Sequence, residues 1–302
     1  MVQDKAQKSR FALSAVAVSV LAVSAAAIFI RLADAPALAV AFWRNALGVL
    51  VLLPIAFYRH DVFPQGRALL VGVASGVALG AHFGFWISSL DYTSVAASVV
   101  LVCTQPVFVA ILAYLLFGER TSSLSFFGIL LALAGTVVIA SDGSVGSATF
   151  FGNMLAVIGA ITVAVYVLIG RSLRTTGVGV LPYSILVYAS ASATLAPAAL
   201  YAGAPLWGYS GETWVWLFAL TLGPQILGHT VLNWALRYVQ ASIISGTILA
   251  EPVVSALLAW MVLAERPGFA TILGGAVVLL GLFLLLRGYE KKSEEYPAEP
   301  VA

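Results

Sequence analysis

Apolar residues in this chain come in long unbroken runs, parted by short stretches that hold most of the charge and turn formers. A helix that crosses a bilayer needs about 20 mostly apolar residues. Runs of that order fall at residues 11–30, 37–58, 68–90, 94–117, 124–140, 151–170, 178–201, 213–236, 242–263 and 267–286. The pattern predicts an all-α integral membrane protein with ten transmembrane helices. Barrel strands would alternate apolar and polar positions over about 10 residues, whereas these runs are continuous and longer. Composition agrees. Of 302 residues 61% are hydrophobic and only 9% charged, too few charges to cover a soluble surface. The formal net charge of +2 is too small to argue for a nucleic-acid partner. The lone cysteine, Cys103, excludes disulfide frameworks and cysteine-based zinc sites.

Lys and Arg positions orient the spans, because cytoplasmic loops carry the excess of these residues. With the N-terminus inside, twelve of them lie in inner segments (5, 8, 10, 59, 67, 120, 171, 174, 237, 287, 291 and 292). Only Arg31 and Arg266 lie outside, and Arg44 falls within a span. The expectation is a multi-pass protein of the inner (plasma) membrane with both termini cytoplasmic. Lys5, Lys8 and Arg10 precede an apolar run ending Ser24-Ala25-Ala26-Ala27, which imitates a secretory signal. Removing that run would leave an odd number of spans, so it is read as the first span.

A shift of 146 residues brings the second half onto the first. Pro106, Val107, Ala110, Leu112 and Ala113 fall on Pro252, Val253, Ala256, Leu258 and Ala259. Glu119-Arg120 falls on Glu265-Arg266, and Gly128, Leu133 and Gly135 fall on Gly274, Leu279 and Gly281. Random apolar matching would not align both prolines, both Glu-Arg pairs and the glycines. Each half holds five spans, an odd number, so the second half enters from the opposite side. Inverted repeats of this kind carry a binding site near midplane between the halves. The expected organisation is a cytoplasmic N-terminus (1–10), a first five-helix repeat (11–141), a second (149–287) and a disordered cytoplasmic tail (288–302).

The stretch Glu251-Pro252-Val253-Val254-Ser255-Ala256-Leu257-Leu258-Ala259-Trp260, then Glu265-Arg266-Pro267 and Gly274-Gly275, resembles the second half of EamA-type proteins of the drug/metabolite transporter superfamily. Pro106, Glu119-Arg120, Gly128 and Phe42-Trp43-Arg44 fit the first half. Within that family the chain is most similar to amino-acid exporters of the YddG type. The resemblance implies ten helices in two inverted halves and transport of small metabolites. Gln105 stands where the second half has Glu251, so any role of that glutamate is one-sided.

Polar residues inside spans are costly and usually face the protein interior. Thr221, Gln225, His229, Asn233 and Arg237 recur every four residues and share one helical face. That stripe either lines a wet cavity or bonds neighbouring helices. Gly72, Gly76, Gly80 and Gly84 make a small packing face on the third span, with Ser75, His82 and Trp86 roughly opposite. His82 and His229 occupy near-equivalent depths in the two halves. Glu251 lies mid-span beside Pro252, where it can carry a proton, bind an amine or bond backbone groups. Pro106 and Pro252 are expected to free the carbonyls of Val102 and Ile248. Arg44 either snorkels outward or attracts a carboxylate. Tyr166 with Thr162, and Tyr188 with Ser184, make polar-aromatic faces. Trp207, Trp214 and Trp216 suit an interfacial belt.

These observations predict substrate-binding residues His82, Trp86, Tyr166, Gln225, His229, Asn233 and Glu251. Neither a phosphate-binding loop nor a His-Glu-x-x-His metal pair occurs, so no cofactor or metal is expected. Ser75 and His82 share a helical face, but Gly-x-Ser-x-Gly is missing, and the chain is not expected to be an enzyme. The expected partners are a small-molecule substrate and the lipid bilayer; oligomeric state stays open. The expected activity is export of small metabolites, amino acids first, by alternating access. A channel or pore is the alternative, as is a transporter of drugs or other metabolites with the same fold.

Overall fold

The computed structural model describes residues 2–93, 98, 101–140, 150–263 and 267–295. Every regular element among them is helical. The first half holds α1 (Val2–Ser24), α2 (Ala26–Ala33), α3 (Ala37–Tyr58), α4 (Gly66–Ser89), α5 (Gln105–Phe117) and α6 (Ser123–Ala140). The second holds α7 (Phe150–Thr175), α8 (Val180–Tyr201), α9 (Gly211–Leu220), α10 (Val231–Ala235), α11 (Ala241–Thr247), α12 (Glu251–Leu263) and α13 (Phe269–Glu295). A π-helical stretch, Thr221–Thr230, joins α9 to α10, and a 3-10 turn, Ile248–Ala250, joins α11 to α12.

Among the described residues eight stretches are long and apolar enough to span a membrane: Phe11–Ala33, Ala37–Tyr58, Gly66–Ser89, Phe150–Thr175, Val180–Tyr201, Gly211–Ala235, Ala241–Leu258 and Phe269–Glu290. The sequence pattern predicts ten. The fourth and fifth predicted spans contain shorter apolar helices, Gln105–Phe117 and Ser123–Ile139. Much of the fourth, at 94–97 and 99–100, lies outside the described residues, as do residues 141–149, Glu265, Arg266 and 296–302. The last helix continues to Glu295, so the stretch expected as a disordered tail from 288 is helical up to that point. Large side chains such as Leu50, Leu222, Leu227 and Phe283 point outward, as a lipid-facing surface requires.

The fourth and ninth spans break at matching places. A turn at Cys103 and Thr104 precedes α5, whose second residue is Pro106; the 3-10 turn precedes α12, whose second residue is Pro252. Proline suits the first turn of a helix, where its missing N–H has no partner to lose. The carbonyl of Ile248, expected to be free, instead accepts from the N–H of Glu251. Tightening to 3-10 geometry recovers a bond that the α register would forfeit. The first span also breaks, at Ala25, and the hydroxyl of Ser255 donates to the carbonyl of Ser24 at 2.9 Å.

Glycines set the closest helix crossings. A Cβ on Gly128 would lie 2.5 Å from the carbonyl oxygen of Gly281, and one on Gly135 would lie 2.7 Å from that of Gly274. These are the glycines related by the 146-residue shift. Residue 128 meets the mate of 135, and 135 meets the mate of 128, so α6 and α13 cross antiparallel about a local two-fold axis. The two-repeat arrangement fits this reciprocity. The glycine face of α4 packs on α8: a Cβ on Gly76 would lie 2.4 Å from Cβ of Ser190. With α8 on one side, α4 turns His82 and Trp86 toward α7, where Gly159 lets Trp86 approach.

Candidate functional site

A cavity opens between the halves. The first half contributes Val23, Ala26, Arg44, His82, Phe83, Trp86, Val102, Cys103 and Gln105. The second contributes Val163, Tyr166, Val167, His229, Leu232, Asn233, Leu236, Ile244, Ser245, Ile248 and Glu251. Both broken spans thus reach it, through Gln105 at the start of α5 and Glu251 at the start of α12.

Six of the seven residues expected from sequence line this cavity: His82, Trp86, Tyr166, His229, Asn233 and Glu251. His82 Nδ1 lies 2.9 Å from the carbonyl oxygen of Gly159, which can only accept, so that nitrogen carries a proton. In the neutral ring this leaves Nε2 as an acceptor. The ring stacks on Trp86 at 5.8 Å and 8°. His229 meets Phe83 edge to face at 5.5 Å and Tyr166 at 6.4 Å. The Tyr166 hydroxyl donates to Asn233 Oδ1 at 2.7 Å.

Gln225 lies one layer behind the wall, fully buried. Its Oε1 accepts from Arg44 Nε at 2.8 Å, and its Nε2 donates to Asn45 Oδ1 at 3.0 Å. Asn45 in turn donates to the carbonyl of Ala41 at 2.8 Å. The Tyr188 hydroxyl sits 3.0 Å from the carbonyl oxygen of Gln225 and 2.9 Å from Thr230 Oγ1. The four-residue stripe therefore divides: Thr221 and Gln225 bond within the helix packing, while His229 and Asn233 face the cavity. The π-helical stretch around Pro224 changes the angle per residue, so a spacing of four does not hold one face there.

Arg44 is the functional candidate that the sequence leaves undecided. It is 1% exposed, which excludes snorkelling, and its guanidinium carbon sits 4.0 Å from the centre of the Phe83 ring. Among the described residues its Nη1 has no hydrogen-bond partner, nor do Trp86 Nε1 and Gln105 Oε1, although all three residues line the cavity. For Gln105 the available signal was its register with Glu251 under the 146-residue shift. Phe83 and Ser245 carried no signal beyond belonging to spans. Among the described residues no ion pair joins Arg44 to Glu251.

Other expected features sit elsewhere. Ser75 Oγ lies 2.7 Å from the Tyr183 hydroxyl, and His82 is committed to Gly159, so the two do not form a nucleophile–base pair. Among the described residues no group of three His, Cys, Asp or Glu could hold a metal ion. Trp207 and Trp214 pack on Trp43 at 4.6 and 4.8 Å, and Trp43 donates to the carbonyl of Leu206 at 2.6 Å. That cluster closes over the end of α3 rather than over the cavity.

Many apolar helices around a cavity shared by two facing halves fit a multi-pass membrane protein. The sequence profile of the EamA-like transporter family matches residues 10–141 and 150–287, and the chain belongs to that family. An uncharacterized transporter of Archaeoglobus fulgidus is 28% identical over 257 residues, covering 81% of this chain and 86% of its own. A second from the same organism is 24% identical over 279 residues, covering 92% and 97%. A solved crystal structure superposes with a TM-score of 0.78 at 20% identity, covering 93% of this chain and 98% of that one, a likeness of fold.

Proposed function

We propose that the chain exports small metabolites, amino acids foremost, from the cytoplasm across the inner membrane by alternating access, with both termini cytoplasmic. The observation that carries this reading is the cavity between the halves, which holds a buried arginine and a glutamate with no ion pair between them among the described residues. Aromatic and aliphatic side chains make up most of the remaining wall. A zwitterion with an apolar side chain complements such a lining, whereas a polyanion would need several cations. Two halves related by a local two-fold axis can exchange conformations and so present one site to each side in turn. Counterflow in proteoliposomes, with a panel of amino acids, nucleosides and organic acids, tests the reading. Saturable exchange of amino acids is expected. Non-saturable flux of all three classes would indicate a pore, and exchange of another class alone would replace the substrate.

A further inference from the structure

We infer that Arg44 is the carboxylate anchor of the cavity, whose ligands are small amino monocarboxylates with an apolar side chain. The inference rests on the transport reading above and names the chemistry of its site.

A buried cation is costly unless paired. Arg44 is buried, and among the described residues its only side-chain hydrogen bond is to neutral Gln225, itself held by Asn45. That chain of amides fixes the guanidinium by its Nε edge and leaves Nη1 without a partner on the cavity wall. Trp86 Nε1 is a second unpartnered donor on the same wall, with Trp86 8% exposed and stacked on His82. Two unpartnered donors in the lining of one cavity, one of them cationic, call for an anionic acceptor that arrives with the ligand, and a carboxylate matches guanidinium geometry. A single cation suits a single negative charge.

The acceptors on this wall lack donors in the same way. Gln105 Oε1 is unpartnered, with Gln105 9% exposed, and the Glu251 carboxylate forms no hydrogen bond or ion pair among the described residues. These two residues are mates under the 146-residue shift, and together they suit an amino group. Phe83, Val102, Val163 and Tyr166 offer the apolar surface for the rest of the molecule.

Binding to the purified full-length protein tests the assignment with four probes: L-phenylalanine, L-phenylalaninamide, 3-phenylpropionate and 2-phenylethylamine. Calorimetry should show phenylalanine binding roughly 10- to 100-fold more tightly than its amide, the range for a charge-assisted hydrogen bond. Arg44→Gln should collapse that ratio toward one, whereas a merely structural role would weaken both ligands alike. Should Arg44→Gln fail to fold, Gln225→Glu decides. It keeps an acceptor for Nε but sets a competing carboxylate against the guanidinium, and it should also collapse the ratio. A wild-type ratio near one, a ratio unchanged in the folded variants, or binding of none of the probes would overturn the assignment. Carboxylate-dependent binding without counterflow of any amino acid would remove the transport reading and leave the anchor. Equal counterflow of phenylalanine and its amide would keep transport and remove the anchor.

Discussion

Arg171 Nε donates to Glu119 Oε1 at 2.8 Å, and Nη1 of the same guanidinium donates to the carbonyl of Leu236 at 2.5 Å. One side chain thereby ties together the connection between α5 and α6, the helix α7, and the residue that follows α10. Leu236 also lines the cavity, so this clasp lies at one of its ends. By the distribution of Lys and Arg, that end is expected to be cytoplasmic.

Weakening the clasp should open that end. In a Cys103→Ala background, a cysteine placed at Ser245 on the cavity wall should react faster with a membrane-impermeant thiol reagent once Glu119 is replaced by Gln. Losing about 1 kcal/mol of a charge-assisted bond predicts roughly fivefold faster labelling from the cytoplasmic face. Unchanged labelling in inside-out vesicles would show that the ion pair does not limit access.

Glycine contacts give a paired test of packing. Gly128→Ala would press a methyl onto the backbone of α13, where Gly281 O and Leu285 N both lie 2.5 Å from the added carbon. Backbone cannot rotate away as a side chain can, so a cost of about 1–3 kcal/mol is expected. Gly84→Ala meets Leu195 Cδ2 at 3.5 Å and Leu38 Cδ2 at 3.9 Å, both ordinary contacts, and should stay within about 0.5 kcal/mol. Thermal melting in detergent distinguishes them; equal melting temperatures would contradict the crossing described for α6 and α13.

Cysteine substitution along the eighth span should map the wall. Cysteines at His229 and Asn233 should label with polar thiol reagents and be protected by phenylalanine, since both positions line the cavity. A cysteine at Gln225, behind Arg44, should label poorly. One at Leu227, 53% exposed on the outward face, should react only with lipid-soluble reagents. Polar labelling at Leu227 equal to that at Asn233 would refute the assignment of faces.

Glu251→Gln should separate ligand binding from bracing. The carboxylate has no hydrogen bond to lose among the described residues, so melting should change by less than about 0.5 kcal/mol. Phenylalanine binding should weaken roughly tenfold, as for the loss of one charge-assisted contact, while 3-phenylpropionate should bind as before. A lower melting temperature with both ligands weakened in proportion would mark Glu251 as a brace for the turn before Pro252.

The architecture was legible because lipid imposes long apolar runs, and because close helix crossings demand glycine at spacings that survive as a repeat. Gly128, Gly135, Gly274 and Gly281 stood out as matched positions of the repeat, whereas their meeting across α6 and α13 came from the structure. The broken fourth span was less visible: a 3-10 or open turn keeps the same apolar composition, and only Pro106 and Pro252 marked its place. Six residues of the cavity wall could be picked out because a polar group inside a span has few permissible surroundings. Gln225 and Asn233 looked alike in sequence, since spacing on one helix does not say which neighbour stands opposite. Arg44 on α3 supplies that neighbour for Gln225, and Tyr166 on α7 supplies it for Asn233.

The reciprocal glycines on α6 and α13 have a further consequence for assembly. A self-complementary contact needs no peptide link between its partners, because each surface already carries what the other requires. Two separately made halves, one ending near residue 141 and the other starting near 150, would meet through the same four glycines once inserted in opposite orientations. The chain thus reads as a fused antiparallel pair, whose halves meet at these glycines through a surface that fits its own copy.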